Sequence, residues 1–244
     1  MRYVLLKLSF DGRPYHGWQI QKNALTVQQV LQEALAAVLG EAPPIKGCSR
    51  TDAGVHAIEF CVSMPLTGNI SCESLVRALN VHLPQSVAVK SCCEVDEDFH
   101  ARYSVKYKRY LYRIWNSPVR DPFSDGLALH YPVHLDEKSM EEQAQQLIGR
   151  HDFSAFCAAG GSVEDKVRNI TEYTACRNGD MIELRITADG FLYNMVRIIT
   201  GTLIDIERGR IPRGSIGEII ESGDRSKAGF TAPPDGLYLE KVIY

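Results

Sequence analysis

The run Ser49-Arg50-Thr51-Asp52-Ala53-Gly54-Val55-His56-Ala57 places an acid directly before two small residues, with an arginine two positions earlier. Glycine after a small residue favours a tight turn and permits close approach of another backbone or a ligand. An aspartate on such a turn, with a guanidinium beside it, is expected to stay ionised, because nearby positive charge favours the carboxylate. An ionised, accessible carboxylate acts as a nucleophile or a base. The same residue types also suit a plainer Asx-type turn with a surface ion pair, so the run alone defines a candidate group and not a reaction.

A second segment carries chemistry of another kind. From Phe99 to Arg120 there is no acidic residue, while Arg102, Lys106, Lys108, Arg109, Arg113 and Arg120 interleave with Tyr103, Tyr107, Tyr110, Tyr112 and Trp115. Cations neutralise phosphates and aromatic faces stack on unpaired bases, which is how looped or single-stranded RNA is gripped. In a strand, Tyr110 and Tyr112 project to one face and Arg109, Leu111 and Arg113 to the other. One face packing while selected tips reach outward satisfies both the structural and the binding reading.

Other elements must position these groups. Thr26 reads as an N-cap for a helix with Val27, Val30, Leu31, Ala34, Leu35, Val38 and Leu39 on its apolar side and Gly40 as its stop. A second helix is expected over 71–79, with strands near 3–10, 58–64 and 87–94. Further on, 107–115 reads as a strand, and Asp136 caps a helix that carries Met140, Ala144, Leu147 and Ile148 before Gly149. Ile182, Leu184 and Ile186 alternate with polar residues, as in a half-buried strand. Leu192, Met195, Val196, Ile199 and Leu203 mark a helix, Ser215 and Glu218 form a capping-box pattern for a short one ending near Ser222, and 237–243 closes as a strand. This mixture predicts an α+β fold, a mostly antiparallel sheet with helices on one face, arranged as two related α/β halves. The seam is expected in the acid-poor stretch around 100–120, with the halves taken as an N-terminal 1–100 carrying the aspartate loop and a C-terminal 101–244 carrying Tyr110 and Arg197.

Bulk properties narrow the class. The chain has 244 residues, 45% of them hydrophobic and 23% charged, as in ordinary globular proteins. No stretch approaches the roughly 20 apolar residues of a membrane span, and the N-terminus is too interrupted for a signal peptide, so a cytoplasmic location is expected. Seven cysteines, at 48, 61, 72, 92, 93, 157 and 176, include no C-x-x-C pair; neither a disulfide framework nor a zinc site has the spacing, and most are expected to be small buried residues. A net charge of −3 requires that any nucleic-acid binding come from a local patch.

The run 49–57 is similar, residue for residue, to the catalytic motif of the tRNA pseudouridine synthase A family, and the resemblance extends over nearly the whole chain. Asp11-Gly12, Tyr15, Gly17-Trp18-Gln19 and Thr26-Val27-Gln28 resemble the family's N-terminal pattern. Phe99-His100-Ala101-Arg102 leading into Lys108-Arg109-Tyr110-Leu111-Tyr112 resembles its central strand. His151-Asp152-Phe153-Ser154-Ala155-Phe156, Arg168-Asn169-Ile170 and Phe191-Leu192-Tyr193-Asn194-Met195-Val196-Arg197 with Gly201 resemble later blocks, and Ala232-Pro233-Pro234 with Gly236-Leu237-Tyr238-Leu239 the last. Two stretches depart from the pattern: Ile58-Glu59-Phe60-Cys61 stands where a Gly-Gln pair usually follows, and 80–86 matches only in part.

The resemblance implies isomerisation of uridine to pseudouridine in the anticodon stem-loop of tRNA, at positions 38 to 40, by a homodimer using no cofactor and no metal. It makes Asp52 the catalytic aspartate, Tyr110 the aromatic that stacks on the target uracil, Arg197 the basic partner of the aspartate, and Arg50 an arginine that holds RNA or the flipped nucleotide. The reaction breaks the bond from uracil N1 to ribose, rotates the base and rejoins it through C5. Asp52 attacking ribose C1′, attacking uracil C6 or removing the C2′ proton are all open. Leu237 and Leu239 are candidates to shield the detached base from water. Two other readings compete: a non-catalytic tRNA-binding protein, and a metal-dependent phosphohydrolase suggested by His151-Asp152. The latter lacks ligand spacing, and His151-Asp152 reads better as a helix terminator and cap.

Overall fold

The computed structural model describes residues 1–161 and 163–244. The chain forms two units, one of residues 1–106 with 238–244, the other of 107–237.

The first unit contains β1 (Arg2–Phe10), α1 (Val27–Leu39), β2 (Lys46–Gly47), β3 (His56–Leu66), α2 (Cys72–His82) and β4 (Val87–Val95). Val4, Leu6, Leu8 and Phe10 of β1 are all buried, and this strand pairs antiparallel with β3 on one edge and β4 on the other. Both helices begin at hydroxyl caps: Thr26 Oγ1 accepts from Gln29 N at 3.3 Å and Ser71 Oγ from Ser74 N at 3.1 Å. α1 buries Val27, Leu31, Ala34 and Leu35, one helical stripe, and stops at Gly40, whose φ of 84° is the left-handed ending that glycine adopts without strain.

The second unit contains β5 (Tyr107–Trp115), β6 (Leu129–His130), α3 (Glu137–Ala144), β7 (Gly149–Asp152), β8 (Val167–Asn178), β9 (Met181–Ala188), α4 (Met195–Glu207) and α5 (Ile216–Ser222). β5, β9, β8 and β7 pair in that order, antiparallel throughout. Register puts Tyr110 opposite Ile186, Tyr112 opposite Leu184 and Ile114 opposite Ile182, all buried, so one face of β5 is core. The connection from β5 to α3 is tied down by Asn116, whose amide donates to the carbonyls of Tyr131 and Val133 and accepts from Leu135 N. The last strand, β10 (Leu237–Ile243), runs parallel to β3, pairing Tyr238 with His56 and Leu239 with Ala57. Parallel pairing needs a long connection, and along the chain residues 107–237 fall between the paired residues of the two strands.

The α+β class with mostly antiparallel pairing is what the pattern predicts; the ends of several elements differ. The helix after Asp136 stops at Ala144 and a 3₁₀ turn, Gln145–Leu147, carries the chain on. α4 begins at Met195 rather than Leu192, because Asn194 takes a left-handed φ of 59°. Ser215 and Glu218 form no capping box: Ser215 is itself helical, and its hydroxyl donates to Pro212 O at 2.8 Å. Only Cys48 and Cys61 are buried; Cys93 and Cys176 are exposed and the other three half-buried, since they sit at strand edges and helix ends outside the core. Among the described residues no helix is long and apolar enough to cross a membrane.

The wholly buried Tyr112 donates its hydroxyl to Pro233 O at 2.7 Å. Tyr112→Phe removes that donor while keeping the ring, and should cost about 1 kcal/mol, read as a lower urea midpoint with unchanged secondary structure. An unchanged midpoint would show that the bond contributes nothing.

Candidate active site

Asp52 sits on a four-residue turn. Val55 N donates to Asp52 O at 3.2 Å, and Gly54, third in the turn, has a φ of 79°, the type II arrangement that requires glycine there. The turn is held from beneath by the segment that follows β1. A Cβ on Gly12 would lie 2.1 Å from Val55 O, and one on Gly17 would lie 2.2 Å from Thr51 O, so both glycines put bare backbone against backbone. Gly54 N donates to Tyr15 O, and Trp18 N to Thr51 O, both at 3.2 Å. Trp18 is fixed by stacking on Phe60 at 4.2 Å, and Tyr15 by a 2.6 Å hydroxyl pair with Ser86. Thus the Asp-Gly, Tyr and Gly-Trp residues ahead of α1 form the bed on which the 51–55 loop lies.

Around this bed the polar groups are organised. Gly12 N donates to His56 Nδ1 at 3.1 Å, and the His56 ring stacks on Tyr238 at 4.6 Å. Burial pushes the Asp11 carboxyl up, but hydrogen bonds from the Arg13 side chain and backbone outweigh it and hold the group below the usual carboxylate value. Asp52 itself is half-buried. Arg50 differs from expectation: it is exposed, and its guanidinium makes no ion pair or hydrogen bond among the described residues, so it points to solvent and does not pair with Asp52.

The other two candidates belong to the second unit. Tyr110 is buried, with the Phe191 ring edge-on at 4.9 Å. Arg197, in the first turn of α4, donates through Nε to Ala232 O at 2.7 Å and through Nη1 to Asn194 Oδ1 at 2.8 Å. That carbonyl reaches Arg197 because 229–232 crosses α4 where Gly201 leaves space; a Cβ there would lie 1.8 Å from Phe230 O. The segment 191–194 thus supplies both Phe191 against Tyr110 and Asn194 against Arg197. Leu237 and Leu239 are buried.

The basic, aromatic strand is only partly available to a ligand. Arg109 is bound by Glu172 at 2.8 Å and Arg113 by Glu183 at 3.0 Å, while Tyr112 is core. These partners come from β8 and β9, outside the acid-free window, which is why the window reads as more basic than its surface is. Arg102, Tyr103, Lys106 and Arg120 remain exposed, with the Arg102 guanidinium 5.7 Å above the Tyr103 ring.

The family described as tRNA pseudouridine synthase matches residues 8–104 and 143–244. A protein named tRNA pseudouridine synthase A from Thermoanaerobacter sp. (strain X514) is 47% identical over 100% of both chains. Proteins of the same name from Acetivibrio thermocellus and Caldicellulosiruptor saccharolyticus are 44% and 43% identical, again over 100% of each chain. The chain belongs to the tRNA pseudouridine synthase family. Among solved structures, a Cbf5-Nop10-Gar1 complex aligns with 97% of this chain and 58% of that chain at a TM-score of 0.37 and 9% identity, too weak a likeness to argue from.

Residue types alone point to Asp52 but not to what fixes it. Phe191, His56 and the Ala232 carbonyl escape such reading because each acts through a neighbour distant in sequence, and Asn194 because its reach to Arg197 depends on its left-handed backbone. His151 and Asp152 lie in β7 and have local duties: His151 Nε2 meets Ile148 O at 3.1 Å, and Asp152 accepts from Ser154 N and Oγ. Among the described residues no three His, Cys, Asp or Glu are grouped to hold a metal.

Gly12→Ala forces the segment after β1 away from Val55, whereas Gly40→Ala has open space and bears only the left-handed backbone penalty of about 1–2 kcal/mol. Gly12→Ala should therefore destabilise more than Gly40→Ala and speed hydrogen exchange at the Gly54 amide, which Gly40→Ala leaves unchanged. Equal effects in thermal unfolding and exchange would contradict the backbone-contact account.

Proposed function

We propose that this protein converts uridine to pseudouridine in the anticodon stem-loop of tRNA, at positions 38 to 40, with Asp52 as the essential carboxylate. The observation that carries the reading is the Asp52 turn, a half-buried carboxylate on a glycine-dependent loop anchored by two backbone-to-backbone contacts, in a chain of the tRNA pseudouridine synthase family. Such a turn fixes the position of the carboxylate relative to a bound nucleotide, as nucleophilic or general-base work requires.

Tyr110 stacks on the target uracil, Arg197 binds the substrate as a preset guanidinium, and the exposed Arg50 takes a phosphate or a displaced base. A uracil within a stem is out of reach of any carboxylate, so the nucleotide leaves the stack before reaction. The chemistry is internal to the nucleotide: the N1–C1′ bond breaks, the base turns, a C5–C1′ bond forms, C5 gives up its proton to solvent and N1 takes one up. Nothing is added or removed overall, so no cofactor or metal is assigned. The protein acts as a homodimer in the cytoplasm; the resemblance supports the first, and a cysteine set without disulfide spacing the second.

Incubating tRNA transcripts with the purified protein and mapping pseudouridine along them should find it at positions 38 to 40 and nowhere else. Unmodified transcripts that still bind would establish the non-catalytic tRNA-binding reading instead. Tyr110→Leu should lower turnover far more than tRNA affinity, because one stacking contact is worth only about 1–3 kcal/mol of binding. Parallel losses of rate and affinity would make Tyr110 a binding residue alone.

A further inference from the structure

We propose that His56 is the positioning residue of the Asp52 loop, using an unprotonated Nδ1 to hold the Gly12 amide and so lock the turn. The inference rests on the reading of Asp52 as the reacting carboxylate. His56 is 1% exposed and opens β3, directly after the turn. Its Nδ1 accepts from Gly12 N at 3.1 Å, Gly12 O accepts from Tyr15 N at 3.0 Å, and Tyr15 O accepts from Gly54 N at 3.2 Å. These bonds form a closed circuit from His56 through the supporting segment back into the turn that bears Asp52. At its centre Gly12 is pressed against Val55 O, so the amide held by His56 belongs to the residue whose backbone makes the contact.

The proton placement follows from the same geometry. Nδ1 also lies 3.3 Å from Asp11 Oδ1, a spacing that suggests an ion pair if the imidazole is charged. A ring nitrogen that accepts a hydrogen bond cannot donate one at the same time. Asp11 is already met by Arg13 through its backbone N–H, Nε and Nη2, whereas the buried Gly12 N–H has His56 as its acceptor. The Gly12 bond therefore defines the state: Nδ1 carries its lone pair and the ring proton is on Nε2. The ring is held flat by Tyr238, its strand partner on β10, at an interplanar angle of 18°. Ring packing and the Nδ1 acceptor are thus separable contributions of one side chain.

Two substitutions separate them. His56→Asn offers an amide oxygen where Nδ1 stood but loses the ring; His56→Phe keeps a stacking ring and offers no acceptor. Each is compared with wild type for tritium release from C5-labelled uridine in tRNA and for hydrogen exchange of the Gly12 amide. His56→Phe should lower kcat about ten-fold or more with KM for tRNA within about two-fold, and should speed Gly12 exchange, because a buried donor has lost its partner. His56→Asn should restore kcat to within about three-fold of wild type and keep Gly12 protected. Wild-type kcat in His56→Phe, or an equal loss in both variants, would overturn the proposal. Absence of release by wild type would count against the isomerase reading, and Gly12 exchange would then decide the His56 role by itself: faster in His56→Phe alone supports it, no difference refutes it.

Discussion

The first unit turns on a contact with no side chains in it. Gly12 and Gly17 lay bare backbone against Val55 and Thr51, the residues that flank the Asp52 turn. A Cβ at either position would stand about 2 Å from a carbonyl oxygen, far inside contact distance. Neighbouring features serve this contact. Trp18 fills the space beside Gly47 and stacks on Phe60, the Thr26 cap starts α1 directly behind the segment, and Ser86 anchors Tyr15. A carboxylate on an ordinary surface loop samples many positions. One on a loop clamped at both ends is confined, and that confinement is what a reacting group gains from its scaffold.

The second unit solves a similar problem with packed rings and a doubly bound guanidinium. Tyr110 gains its orientation from β5 below and Phe191 at its edge, and Arg197 from the Ala232 carbonyl and Asn194. Asn194 bonds Arg197 while holding the left-handed backbone that starts α4, so helix geometry and guanidinium placement are set by one residue. On the opposite face of β5 the arginines are occupied by Glu172 and Glu183, which holds that face to internal bonding.

Much of this was legible in the sequence. Strand 107–115, helix 27–39 with its Thr26 cap and Gly40 stop, and strand 237–243 follow from period and punctuation alone. The turn at Asp52 follows from Ala53-Gly54. What escaped depends on partners far along the chain: pairing of Arg109 and Arg113 with acids on β8 and β9, and the return of β10 to lie beside β3. Local composition cannot report these, because a salt bridge or a parallel pairing is fixed by register between distant segments. The failed capping box at Ser215 has a local cause instead: its backbone is right-handed helical and not extended, and its hydroxyl donates to Pro212 O three residues back.

The central claim is that the carboxylate on this clamped turn performs the isomerisation. Its most direct test is tritium release from C5-labelled uridine in tRNA by wild type and by Asp52→Asn, which keeps the shape of the side chain and removes its charge. Release by wild type, none by Asp52→Asn, and equal thermal stability of the two proteins is the result predicted. Release by the variant at a rate near that of wild type would contradict the claim and require another group to do the chemistry.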